Sequence, residues 1–193
     1  MTYILIFISA VFVNNIVLAQ FLGVCPFLGV SKKTSTAVGM GSAVAFVLII
    51  ATIVTYTVQK FVLEPFQIEF LRTIVFILII AALVQSIEII LKKVSPPLYR
   101  ALGIFLPLMT TNCAILGVAI LVVQRELSLL ESTVFAVSTA VGFGLALIVF
   151  TKIREQLSLV KVPKALEGTP ISLITVGLLA MAFMGFAGIV SLN

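Results

Sequence analysis

The segment "STAVGMGSA", Ser35 to Ala43, recurs as "STAVGFGLA", Ser138 to Ala146, with seven of the nine positions identical. In a chain of 193 residues, such an internal repeat indicates that the second half is built on the plan of the first. Each copy places small residues four apart: Ser35, Gly39 and Ala43 in one, Ser138, Gly142 and Ala146 in the other. That spacing gives a helix a small-residue face on which another helix can pack closely. The lesser alternative is that Gly39, Gly41, Gly142 and Gly144 let backbone approach a buried cofactor.

Outward from the repeat the chain is uniformly apolar: 62% hydrophobic, 10% charged, with a mean hydropathy of +1.33. This lies far outside the usage of soluble domains. A helical crossing of a bilayer takes about 20 apolar residues, and six windows qualify, at about 3–23, 36–59, 71–91, 101–123, 132–151 and 170–191. The expected fold is therefore an all-α membrane protein with six transmembrane helices, a single integral membrane domain over residues 1–193. One repeat covers about 1–97 and the other about 98–193, three helices each. An odd number of crossings per repeat makes the second enter the bilayer from the opposite face. The repeats are then inverted, with the functional site expected near the midplane.

Charge supplies an orientation. Lys32, Lys33, Lys92, Lys93, Arg100, Lys152, Arg154, Lys161 and Lys164 fall on one side of the six windows, and only Lys60, Arg72 and Arg125 on the other. Nine against three places the first group in the cytoplasm and both termini outside. The net charge of +5 is thus a topology signal rather than a nucleic-acid footprint. Histidine is absent and all seven acids are glutamate, which excludes histidine-ligated haem and His-based catalytic triads within this chain.

The two cysteines share a context: "CPFLGV" from Cys25 and "CAILGV" from Cys113. Helix-breaking signals adjoin both. Pro26 disfavours an α conformation at Cys25, so helix 1 is expected to end there. In helix 4, Pro107 and the run Thr110, Thr111, Asn112 do similar work, the polar side chains satisfying groups freed by the break. Helices 1 and 4 are therefore read as interrupted. The thiols can be buried packing residues, a disulfide, or half of a metal site. Two thiolates do not complete a four-cysteine site, so a [2Fe–2S] cluster here would need two more from a partner. Asn14, Asn15 and Gln20 lie inside the first window and need partners there, either to satisfy a helix break or to line a cation path.

With "FLGVCPFLGVSKK", "TTNCAILGVAI" and the repeated "STAVG", the whole chain resembles the A-type membrane subunits of the Rnf ion-translocating oxidoreductases. It is similar also to the matching small membrane subunits of Na⁺-translocating NADH:quinone reductase. The resemblance implies a [2Fe–2S] cluster bound by Cys25 and Cys113 and completed by two cysteines of a homologous E-type (RnfE-like) subunit in the opposite orientation. It further implies assembly with the B, C, D and G subunits of Rnf in the cytoplasmic membrane of a bacterium or archaeon. The chain would relay electrons inside the bilayer, as part of a complex coupling ferredoxin–NAD redox chemistry to Na⁺ or H⁺ transport, and would not be catalytic alone. Two other readings use the same architecture: a small inverted-repeat secondary transporter, which would need ionisable groups at mid-membrane, and a scaffold without a redox centre.

Overall fold

The computed structural model describes residues 2–31, 33–66, 69–94, 106–160, 163 and 166–185, and every regular element among them is helical. In the first half, α1 (Thr2–Ile8) runs on as a π-helical segment, Ser9–Val13. A break follows, then α2 (Val24–Val30) and α3 (Thr34–Val58). The latter continues through a second π segment, Gln59–Leu63, and one more turn, Glu64–Phe66, before α4 (Arg72–Val94). The second half repeats the succession: α5 (Leu106–Thr110), a break, α6 (Cys113–Gln124), the long α7 (Leu129–Leu157) and α8 (Thr169–Met184).

Three stretches are long and apolar enough to cross a bilayer, Thr34–Leu63, Arg72–Ile90 and Leu129–Leu157, and Tyr3–Val13, Leu108–Gln124 and Thr169–Met184 are shorter apolar helices. The interruptions fall in the first and fourth windows, with one correction. Helix 1 does not extend to Cys25. Its helical part ends at Val13, and Cys25 and Pro26 belong to the first turn of α2. Proline suits that position because first-turn amides have no intrahelical acceptor to lose. Parts of the windows at 101–105 and 186–191 lie outside the described residues, as do Lys32, Arg100, Lys161 and Lys164.

The core is the pair α3 and α7, which make the most extensive contact between elements. They run antiparallel, because the start of α3 meets the end of α7: Thr34 donates from its amide and its hydroxyl to Glu155 Oε1, at 3.1 and 2.9 Å. The local reason for the start of α7 is a capping box, with the Ser128 amide donating to Glu131 Oε2 at 3.0 Å and the Glu131 amide facing Ser128 Oγ. At their contact Gly41 adjoins Gly144, the equivalent position of the repeat. A Cβ on Gly41 would lie 3.7 Å from Gly144 Cα.

The small-residue face read from the repeat is realised on α7 alone. Ser138, Gly142 and Ala146 are buried, and a Cβ on Gly142 would stand 3.2 Å from Ala10 O, Val11 Cα and Asn15 Nδ2. On α3, Ser35 is exposed and Gly39 and Ala43 are half-buried; the packed face is Ala37, Met40, Gly41 and Val44. The difference is geometric: α7 is gripped on one side by α3 and on another by α1 and its π extension, so more of its circumference is covered.

These packing distances generate a paired expectation. Gly142→Ala forces a methyl against two backbone atoms and is expected to destabilise the purified protein by about 1–3 kcal/mol. Gly144→Ala, on a different face of the same helix, meets nothing within 4 Å and is expected to leave stability unchanged or raised. Thermal unfolding of both variants in one detergent checks this, and equal melting behaviour would contradict the assigned packing face.

Candidate functional site

The site forms where the two breaks meet. In the first break Asn15 is fully buried, and its side chain replaces the missing helical hydrogen bonds: Oδ1 accepts from the Val17 amide at 3.1 Å, while Nδ2 donates to Val11 O at 3.1 Å and Gly142 O at 2.9 Å. Asn14 Nδ2 donates to Ser9 Oγ at 3.1 Å. Of the two roles open to these asparagines, the bonds they make are those of helix-break satisfaction. The chain then turns through Phe21 at φ 55° and Gly23 at φ 86°. Gly23 is the N-cap of α2, and Cys25 follows two residues later.

The second break is tighter. Helix α5 ends at Thr110, the Asn112 amide donates to Met109 O at 3.2 Å, and α6 begins at once with Cys113. Asn112 is the N-cap: its Oδ1 accepts from the Ala114 amide at 3.0 Å. Capping asparagine satisfies one of the amides that a helix start leaves without a partner.

A hydrogen bond joins the two breaks. The Gly23 amide donates to Cys113 Sγ at 2.8 Å. Only glycine fits at position 23, for two independent reasons. Its φ is left-handed, and a Cβ would stand 3.0 Å from Phe143 Cε2, 3.1 Å from Ala114 Cβ and 3.5 Å from Asn112 Oδ1. From this junction the half-helices diverge. α2 leads toward the end where α3 starts and α7 finishes, since Arg154 Nη1 donates to Leu28 O and to Ser31 Oγ, both at 2.8 Å, in its last turn. α6 leads to the opposite end, where α7 begins. The cationic Arg154 sits at the C-terminal end of α2, where the carbonyls carry partial negative charge.

Of the two sequence-predicted residues, Cys113 takes part in this junction through its sulfur, and Cys25 lies in the first turn of α2, two residues after Gly23. Both thiols are free, with Cys113 half-buried and Cys25 exposed on the surface of the chain. The disulfide reading of the pair is not realised. No cluster of three or more His, Cys, Asp or Glu side chains exists among the described residues, so the donor set here is two thiols. The structure adds Gly23 and Arg154 to the site. Gly23 carries a faint signal in the sequence, a glycine two residues ahead of a cysteine at a helix start, whereas Arg154 reads there only as a topology charge.

Comparison with known proteins extends over nearly the whole chain. The family described as "Rnf-Nqr subunit, membrane protein" matches residues 3–190. A protein of Acetobacterium woodii, named as the A subunit of a Na(+)-translocating ferredoxin:NAD(+) oxidoreductase complex, is 58% identical over 188 residues, covering 97% of this chain and 98% of the relative. A Syntrophotalea carbinolica protein, named as the A subunit of an ion-translocating oxidoreductase complex, is 60% identical over 186 residues, covering 96% of each chain. A Vibrio vulnificus protein of the same name is 54% identical over 188 residues, covering 97% of this chain and 98% of its own. With a match of this extent, and helices apolar enough to span a bilayer, the chain is a multi-pass membrane protein and belongs to the Rnf-Nqr family of membrane subunits.

Proposed function

We propose that this chain is the A subunit of an Rnf-type ion-translocating oxidoreductase and holds half of an intramembrane [2Fe–2S] cluster through Cys25 and Cys113. The observation that carries the reading is the Gly23–Cys113 bond, which fastens the start of the Cys25 half-helix to the sulfur of the other cysteine. It is supported by the names of the relatives, which are subunits of ion-translocating oxidoreductase complexes.

The residues present fit such a group. Two soft thiol donors suit iron–sulfur ligation. The Gly23 amide already directed at Cys113 Sγ is the kind of donor that an iron-bound sulfur accepts. The exposure of Cys25 leaves its sulfur open to a second subunit, as a cluster with two ligands per chain requires. When bound, the cluster would supply one-electron transfer within the bilayer. This chain's part is to hold both thiols at the junction of α2 and α6, to direct the Gly23 amide at one of them, and to shield that side with Phe143 and Ala114. The partner we assign is a homologous E-type subunit in the opposite orientation, with the B, C, D and G subunits completing a complex that couples ferredoxin–NAD chemistry to Na⁺ or H⁺ movement. The secondary-transporter reading finds less support, because no Lys, Arg or Glu side chain is fully buried among the described residues.

On this reading the two halves are inverted repeats of three crossings each, with the termini outside. The antiparallel α3 and α7 and the divergent α2 and α6 support that arrangement. Labelling of single cysteines introduced at Lys33, Lys93 and Lys152, in a variant made for topology alone, is expected to succeed only from the cytoplasmic side. Reaction of Lys93→Cys from outside would overturn the orientation.

The ligand assignment has its own test. Cys25→Ser or Cys113→Ser is expected to lower the [2Fe–2S] content attributable to this site by roughly tenfold or more, since an alkoxide is a poor substitute for a thiolate at iron. Assembly of the complex should persist, because helix association rests on packing such as that around Gly142, away from either sulfur. Iron, acid-labile sulfide and EPR of the purified complex read the first, and subunit stoichiometry the second. Full cluster content in both variants would return the cysteines to a packing role.

A further inference from the structure

The two asparagines at the breaks make the same bond with their oxygen and differ in what their nitrogen does. Each Oδ1 accepts from the amide two residues on, Val17 for Asn15 and Ala114 for Asn112. Asn15 Nδ2 is saturated by two carbonyls. Asn112 is 3% exposed, and its Nδ2 is buried without any hydrogen-bond partner among the described residues. In an apolar setting a donor left in that state costs more than most single interactions contribute. Its site is specific: Asn112 immediately precedes Cys113, and its side chain lies against Gly23, whose own N–H points at Cys113 Sγ. The amide orientation is set by the Ala114 bond, which requires the oxygen at the cap.

We infer that Asn112 is a positioning and tuning residue: its Nδ2 donates a hydrogen bond to a sulfur of the group bound at Cys113, and so raises that group's reduction potential. The inference rests on the reading of the two thiols as cluster ligands. Its physical basis is simple. Reduction adds negative charge to the cluster, and a donor on sulfur stabilises the more negative state, so potential follows hydrogen bonding to the sulfurs. A buried donor in low dielectric acts strongly because no water competes with it.

Asn112→Ser and Asn112→Thr both retain a capping oxygen for the Ala114 amide while removing the Nδ2 donor, which separates tuning from helix-start stability. In the purified complex, EPR-monitored redox titration is expected to show the cluster intact and harder to reduce. Loss of one charge-assisted bond should change the reduced-to-oxidised ratio at fixed potential by roughly tenfold, equivalent to about 59 mV for a one-electron couple. As a second readout, with ¹⁵N-asparagine incorporated, hyperfine spectroscopy of the reduced wild-type cluster should show coupling to an amide nitrogen, and that coupling should vanish in the Ser or Thr variant. An intact cluster with unchanged potential in the variants, or no ¹⁵N coupling in wild type, would overturn the role of Asn112 while leaving the ligands standing. Absence of any cluster at Cys25 and Cys113 in wild type would instead remove the ligand reading, and this inference with it.

Discussion

Backbone interrupted at membrane depth must find hydrogen-bond partners inside the protein, because hydrocarbon offers none and each unsatisfied group costs several kcal/mol. The architecture follows from how that demand is met at two places. Asn15 spans the first break, linking Val11, Val17 and, across the fold, Gly142. Asn112 starts the helix after the second break. Hydroxyl groups elsewhere in the helices follow the same rule locally: Thr52, Thr55, Ser138 and Thr151 donate to carbonyls four residues back, so buried polarity is absorbed within single helices. The breaks are where local absorption fails and tertiary contacts take over.

Those contacts need close approach, and glycine provides it at position 142, which admits the π segment and Asn15 beside α7. Phe27 of α2 stacks on Phe150 of α7, with ring centroids 4.6 Å apart, while Arg154 holds the far end of the same short helix. Helix α2 has only seven residues, too few to be stable in isolation. It persists because its N-terminus is tied to Cys113, its middle to Phe150 and its C-terminus to Arg154. Cys25 is placed by those three anchors of the helix that carries it.

The chain carries two free thiols, Cys113 half-buried at the junction and Cys25 at the surface two residues after Gly23; on the proposed function they are half of a larger site. The proposed intersubunit cluster meets that incompleteness directly. It would also give a use to the Gly23 amide, which donates to Cys113 Sγ, and to Asn112 Nδ2, which is buried without a partner among the described residues. The proposed redox site would gain from rigidity, since potential depends on fixed donors and fixed exposure.

The sequence alone determined that the chain is a helical membrane protein, that its halves are related, and that Cys25 and Cys113 occupy matching places, because hydropathy, the "STAVG" repeat and the "C-x-x-LGV" pattern are all local signals. It also marked both interruptions, though it misplaced the first. Pro26 suggested a helix end, whereas the structure uses it at a helix start and ends the preceding helix well before it, at Val13; an isolated proline marks a boundary without saying on which side the helix lies. Similarly, the repeat implied equal packing faces on α3 and α7, and only α7 buries Ser138, Gly142 and Ala146, since burial depends on what other elements cover a face. What only the tertiary structure decided is the junction itself: residues 23 and 113 are brought together by helices that run antiparallel, and no local pattern specifies a contact between groups 90 residues apart in the chain.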